Sequence, residues 1–223
     1  MHHTLHLVLT WQWCISSKGI RRYAGVWAYK KGYSGRFKTS TFGVTTGGTA
    51  FNDLNVIGGV QNVNRISRIV IRHGEIVDAI TTTYQRSRGL ASITRSNGGT
   101  GGNLATVDLS ATESVITITG TFRSVSGQYG PSSIQDLNFV ILNSSTGVVR
   151  VAGPFAPASG GTPFRVYGTL VAFAGTISTR GTRFIQALSF FIIPTRAAVR
   201  SDIVAATADD IADDIADDIT APA

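Results

Sequence analysis

Ile71-Arg72-His73-Gly74-Glu75-Ile76-Val77-Asp78-Ala79-Ile80 decides how this chain is read, because weakened copies of it return twice. One copy is Ser133-Ile134-Gln135-Asp136-Leu137 and the other is Arg183-Phe184-Ile185-Gln186-Ala187-Leu188. Each sets an apolar residue before Asp or Gln, then a short residue, then Ile or Leu. A glycine motif also comes three times, as Gly47-Gly48-Thr49-Ala50-Phe51, Gly98-Gly99-Thr100-Gly101-Gly102-Asn103-Leu104 and Gly160-Gly161-Thr162-Pro163-Phe164. Self-similarity at a spacing of about 50 residues or more implies three related parts.

Working outward, residues 66–71 predict a strand, His73-Gly74-Glu75 a turn, and residues 76–84 a second strand rich in β-branched side chains, which together make a hairpin. Residues 106–109, 115–119, 134–142, 164–173 and 184–193 predict further strands, each bounded by Gly, Pro, Ser or Asn. From Gly43 the first glycine motif leads into coil, and no helical segment is expected between the strands. The 25 glycines and the abundance of Thr, Ser, Val and Ile agree with an all-β chain. Strands at short, even spacing suit an antiparallel sandwich, barrel or prism and argue against a nucleotide-binding α/β fold. At 223 residues and 43% hydrophobic, the chain supports one substantial core with extensions.

Charge divides the chain. Residues 1–42 carry seven basic and no acidic residues, residues 43–200 carry thirteen arginines against six acids, and the remainder carries seven aspartates and no base. The net charge is thus +7 in each of the first two segments and −7 in the last. We expect a basic, aromatic-rich, poorly ordered N-terminal extension over 1–42, a folded domain over 43–194 and a solvated acidic tail over 195–223. In that tail Ala-Asp-Asp-Ile repeats three times from Ala208, a density of like charge that disfavours a helix. Trp11, Trp13, Tyr23, Trp27, Tyr29 and Tyr33 are interleaved with Lys and Arg in the extension, a composition able to bind polyanions.

Cys14 is the single cysteine, so neither an internal disulfide framework nor a multi-thiolate metal site is expected. No apolar run approaches the roughly 20 residues that span a bilayer. Residues 5–15 are apolar, but they lack a basic start and a small-residue cleavage site, which favours a cytoplasmic location over secretion by that route. His73 is the one histidine of the expected domain and six acids are scattered through it. Neither a nucleophilic triad nor a pair of carboxylates across a cleft is indicated, so no enzyme is expected.

Read in order, Gly47-Gly48-Thr49-Ala50-Phe51-Asn52-Asp53, Gly74-Glu75-Ile76-Val77-Asp78-Ala79-Ile80, Gly98-Gly99-Thr100-Gly101-Gly102, Gly153-Pro154-Phe155 with Gly160-Gly161-Thr162-Pro163-Phe164, and Phe184-Ile185-Gln186-Ala187-Leu188 resemble the jacalin-related lectins. The resemblance spans about residues 40–194. It implies a β-prism of three four-stranded antiparallel sheets about a pseudo-threefold axis. It also implies a carbohydrate-binding protein for mannose- or glucose-type sugars that needs no metal or cofactor.

In that family a sugar sits between a glycine-rich loop and a Gly-x-x-x-Asp loop. The chemistry is sound on its own terms, because a carboxylate accepts from two neighbouring hydroxyls and glycine lets backbone N–H groups approach the ring. Carried over, Gly74, Glu75, Ile76, Val77 and Asp78 face Gly101 and Gly102, with Asp78 the main acceptor. A second, weaker site pairs Gly48 with Arg183, Phe184 and Gln186. There Gln186 stands where the family has Asp, and the loop before it is about four residues longer than usual. The third face, Gly160-Gly161 with Gln135, is expected to be structural, and Tyr129, Tyr167 and Phe184 are expected to pack. The implied partners are mono- or oligosaccharides and glycoconjugates, and useful avidity calls for several sites or a homo-oligomer. The alternative is a degenerate prism acting as an interaction or polyanion-binding module, drawing on the excess positive charge of residues 1–200.

Overall fold

The computed structural model describes residues 6–16, 19–29, 37–123, 132–157, 160–179, 181 and 183–194, the first two stretches by backbone alone. The expected tail from 195 and Tyr129 lie outside the described residues. The chain divides into two units, residues 1–35 and 36–223. In the first, β1 (His6–Ser16) and β2 (Gly19–Tyr29) pair antiparallel in a hairpin.

The second unit is built from three sheets. β3 (Phe37–Lys38), β4 (Phe42–Gly43) and β5 (Gly48–Asn52) come first, followed by a one-turn helix α1 (Asp53–Ile57). Sheet I takes β6 (Val63–His73), β7 (Val77–Arg86), β8 (Ile93–Gly98) and β9 (Asn103–Asp108) in the order β8-β7-β6-β9. Sheet II takes β10 (Glu113–Arg123), β11 (Ser133–Asn143), β12 (Val149–Phe155) and β13 (Thr162–Tyr167) in the order β12-β11-β10-β13. β14 (Thr169–Ser178) and β15 (Ile185–Ile193) then return to the first strands, where β5 flanks β14 and the two-residue β3 and β4 share the edge of β15. All three sheets have a central hairpin with one strand on each side, and every pairing is antiparallel. This is the all-β prism of three four-stranded sheets expected from the sequence.

Alternation along the strands drives the assembly, since residues two apart share a face. Ile69 and Ile71 of β6, Ile80 and Tyr84 of β7, Phe139 and Ile141 of β11, and Phe173 and Phe190 of the third sheet are all buried in one core. Phe173 meets Phe190 edge-on at 5.9 Å between centroids, and Phe42 stacks on Phe164 at 4.5 Å, which closes the interior where the sheets converge.

Two expectations need correction. Residues 52–58 are not coil: Asn52 caps α1 by accepting from the Asn55 N–H at 3.3 Å, and Gly58 ends it in the left-handed region at φ +86°. The span 164–173 is not one strand, because Gly168 at φ +131° separates β13 from β14 and sends them to different sheets. The helix also brings Asp53 inside. Its carboxylate is 1% exposed and accepts from the Tyr84 hydroxyl at 2.7 Å and the Asn97 amide at 2.9 Å, which ties α1 to sheet I.

Candidate functional site at one end of the prism

In each sheet the central hairpin turns at the same end at which an outer strand begins. His73 is followed by Val77, Arg123 by Ser133 and Ser178 by Ile185, while β9, β13 and β5 start alongside. Three contacts show that these ends meet. Gly99 packs on the Arg183 carbonyl, the Ala156 N–H donates to His73 Nδ1 at 3.2 Å, and a Cβ on Gly43 would lie 2.9 Å from Ser132 Oγ. The repeats seen in the sequence are therefore one structural position in triplicate. Asp78, Gln135 and Gln186 each stand second or third in the inner strand of their sheet, facing a glycine loop.

At the first position the turn is tight, with the Gly74 N–H donating to the Ile76 carbonyl at 3.0 Å, and Asp78 follows directly. The Asp78 carbonyl accepts the Gly99 N–H at 3.0 Å and so anchors the glycine loop to the same residue whose side chain faces it. A Cβ on Gly101 would lie 2.8 Å from Asp78 Oδ1, and one on Gly102 would lie 2.5 Å from Oδ2. Glycine is needed here for space at both positions and, at Gly102 with φ +70°, for backbone conformation as well. Arg72 braces the loop from below, donating from Nη1 to the Thr100 carbonyl at 3.1 Å and the Gly102 carbonyl at 3.5 Å.

Asp78 is 9% exposed, and no donor among the described residues is bonded to its carboxylate. Burial raises its pKa above the ordinary 3.8, while the charges of His73 and Arg72 pull it back down. The result is an acceptor with open lone pairs beside bare backbone. Glu75 lies exposed at the turn, whereas Ile76 and Val77 are turned into the core and present only main chain. His73 is not solvated as loop histidines usually are: its Nδ1 accepts from Ala156 and its ring lies 5.6 Å from that of Phe155. Neither Arg72 nor His73 was among the expected site residues, and a basic pair ahead of the turn was the signal available for them.

The Gln186 position is built differently. Gln186 is 1% exposed, and its Nε2 donates to the Val44 carbonyl at 2.6 Å and the Thr46 carbonyl at 2.9 Å. Its Oε1 is buried without a hydrogen-bond partner among the described residues, and a Cβ on Gly48 would lie 3.2 Å from it. Thr179 Oγ1 donates to the Gly47 carbonyl at 2.8 Å, which holds the same loop from its other side. Phe184 is buried in the interior, so its ring has no part in a surface site, whereas Arg183 is exposed. Gln135 is likewise buried, with Oε1 unpartnered among the described residues and 3.4 Å from where a Gly161 Cβ would stand. Tyr167, expected to pack, is 48% exposed, and its hydroxyl accepts from Arg165 at 3.1 Å. No three His, Cys, Asp or Glu gather to hold a metal among the described residues.

Comparison with known proteins places this geometry. The jacalin-like lectin domain model matches residues 39–191. Horcolin of Hordeum vulgare is 34% identical over 140 residues, which is 58% of this chain and 83% of that protein. Among solved structures, wild-type Malaysian banana lectin superposes with a TM-score of 0.57 at 27% identity, covering 72% of this chain and all of that one. A mannose-binding jacalin-related lectin from Ananas comosus gives 0.56 at 26% identity, covering 72% and 99%. A family match over more than half the chain, a prism of the same architecture and glycine loops opposed to Asp or Gln at one end lead to one conclusion: the chain belongs to the jacalin-like lectin family of carbohydrate-binding domains.

Proposed function

We propose that the chain binds a neutral, hydroxyl-rich sugar of the mannose or glucose type in the hollow between Asp78 and the Gly101-Gly102 loop. The carrying observation is the near-buried Asp78 carboxylate, which accepts from no described residue and faces two glycines. Two vicinal hydroxyls donate to its oxygens, and backbone N–H groups of Gly101 and Gly102 donate to ring or hydroxyl oxygens. The mannose-binding lectin of Ananas comosus supports the sugar type. Binding is non-covalent and draws on no catalytic group.

Gln186 makes the equivalent hollow of the third sheet the weaker one. Its amide already holds the Val44 and Thr46 carbonyls, and it brings no charge to a hydroxyl. Calorimetric titration with methyl α-mannoside and methyl α-glucoside tests the assignment. Wild-type protein should saturate and Asp78→Ala should show no heat of binding while keeping its melting temperature. Unchanged affinity in that variant would move the site elsewhere.

A second reading, binding of polyanions, rests on the net charge of +7 in each of the first two segments. It expects retention on heparin that collapses at moderate salt, survives excess neutral sugar and weakens on deletion of residues 1–35. Retention abolished by neutral sugar would refute it.

A further inference from the structure

We infer that the Asp78 hollow continues onto Arg183, and that its preferred ligand is a saccharide bearing an anionic group one ring away from the sugar held by Asp78. The inference rests on the sugar reading of Asp78 given above. What carries it is the glycine loop at 98–102, a thin wall with a different neighbour on each side. Gly101 and Gly102 face the Asp78 carboxylate. Gly99 lies so close to the neighbouring loop that a Cβ there would collide with the Arg183 carbonyl oxygen. Gly99 and Gly101 are two residues apart, so their Cα atoms are separated by at most about 7 Å. No side chain larger than that of Thr100 rises between them. A ligand seated on Asp78 and extending over the loop therefore comes within one further ring of the Arg183 main chain, and the long, exposed side chain of that residue can extend to meet it.

The chemistry on that side is cationic. Arg183 is exposed and forms no ion pair with a described residue. Its guanidinium presents a planar fork of donors that fits a carboxylate or a sulfate in two-point fashion. Arg72 is occupied beneath the loop with the Thr100 and Gly102 carbonyls and adds positive potential there. A wholly neutral glycan leaves Arg183 in water, whereas a uronic acid or a sulfate ester on the adjacent ring engages it. The shared chemistry is a single negative charge on a sugar.

Three matched probes test this with the full chain at low and high salt: a neutral mannose disaccharide, the same compound with a uronic acid as its second ring, and the same compound sulfated on that ring. At least one charged form should bind about tenfold tighter than the neutral one at low salt, the size of one hydrogen bond to a charged group, and the advantage should shrink at high salt. The tighter of the two charged probes identifies the source of the charge. Arg183→Gln should erase the advantage of the charged probes over the neutral one.

Equal affinities in wild type, an advantage that survives Arg183→Gln, or competition by sodium sulfate alone as strong as by the sulfated sugar would each overturn the inference. Asp78→Asn separates the two levels. If that variant keeps neutral-sugar binding, the Asp78 reading itself fails. If neutral binding depends on Asp78 and the charge adds nothing, only the extension onto Arg183 fails.

Discussion

Gly101→Ala should close the sugar hollow while leaving the domain folded. Gly101 is not in the left-handed region, so alanine meets no backbone penalty there. Its methyl carbon would lie 2.8 Å from Asp78 Oδ1 and 3.3 Å from Cγ. Ordinary non-bonded separations are about 3.5 Å, so the carboxylate has to turn away by roughly 0.7 Å. Nothing described holds the carboxylate in place, so it yields at small cost. That displacement spoils both hydroxyl bonds, and the methyl fills the approach to the loop. Hydrogen bonds to a charged group contribute about 1.5–3 kcal/mol each, so partial loss of two is on the order of 3 kcal/mol, or about a hundredfold in Kd. Stability should hardly move, because a gain of about 0.4–1 kcal/mol from the stiffer unfolded chain offsets the local contact. Titration with methyl α-mannoside beside a thermal melt reads both quantities. Folded Gly101→Ala protein that binds within twofold of wild type would refute the placement of the sugar against this loop.

Three further outcomes follow from the same coordinates. Sugar binding should weaken as pH falls, starting above the ordinary aspartate value of 3.8, because burial raises the Asp78 pKa and hydroxyl donors prefer the ionised form. In the free protein the sign is opposite: a raised folded pKa means that the contribution of Asp78 to stability is present at low pH and lost as pH rises through it. Titrations across pH 4 to 7 check the binding half, and a flat affinity would count against Asp78. Asp53→Ala should cost about 3–5 kcal/mol, since it strands the buried Tyr84 hydroxyl and Asn97 amide. Chemical denaturation measures that cost, and a loss below about 1 kcal/mol would show that the network relaxes. Gln186→Glu keeps the side-chain shape but turns an acceptor onto the Val44 and Thr46 carbonyls. We expect about 2–4 kcal/mol of destabilisation with methyl α-mannoside affinity retained, and a neutral melt would mean that the amide is not the donor.

The threefold plan was legible in the sequence because each repeat marks a fixed place in a strand. Asp78, Gln135 and Gln186 all fall just inside the inner strand of their hairpins, so the spacing of the copies is the spacing of the sheets. Helix α1 escaped notice because five residues are too few for a period of 3.6 to show. Its caps were visible, with Asn52 ahead and Gly58 behind. The role of Asp53 was not, because its partners Tyr84 and Asn97 lie 31 and 44 residues away and only the fold brings them together. The direction of the Gln186 amide was equally hidden, since it depends on which carbonyls of the 43–48 loop point inward.

Strand register explains how one of the three equivalent positions accommodates a carboxylate where the other two hold an amide. Across the hairpin of sheet I, Arg72 pairs with Ala79 and His73 with Val77, so a guanidinium and an imidazole flank Asp78. The same register in sheet II gives Thr121 opposite Asp136 and Phe122 opposite Ile134 around Gln135. In the third sheet it gives Thr176 opposite Ala187 and Ile177 opposite Ile185 around Gln186. A nearly buried carboxylate is unfavourable unless charge or hydrogen bonds offset its desolvation, and of the described residues paired across the strand on either side of these positions only those of sheet I are basic. Where the flanking residues are Thr with Phe or Ile, the amide of Gln is a side chain that carries no charge to desolvate. At Gln186 that amide then satisfies two carbonyls which a carboxylate would repel. An amide at 186 and the tie from strand to glycine loop thus go together, and the difference between the positions follows the residues paired across the strand before each turn.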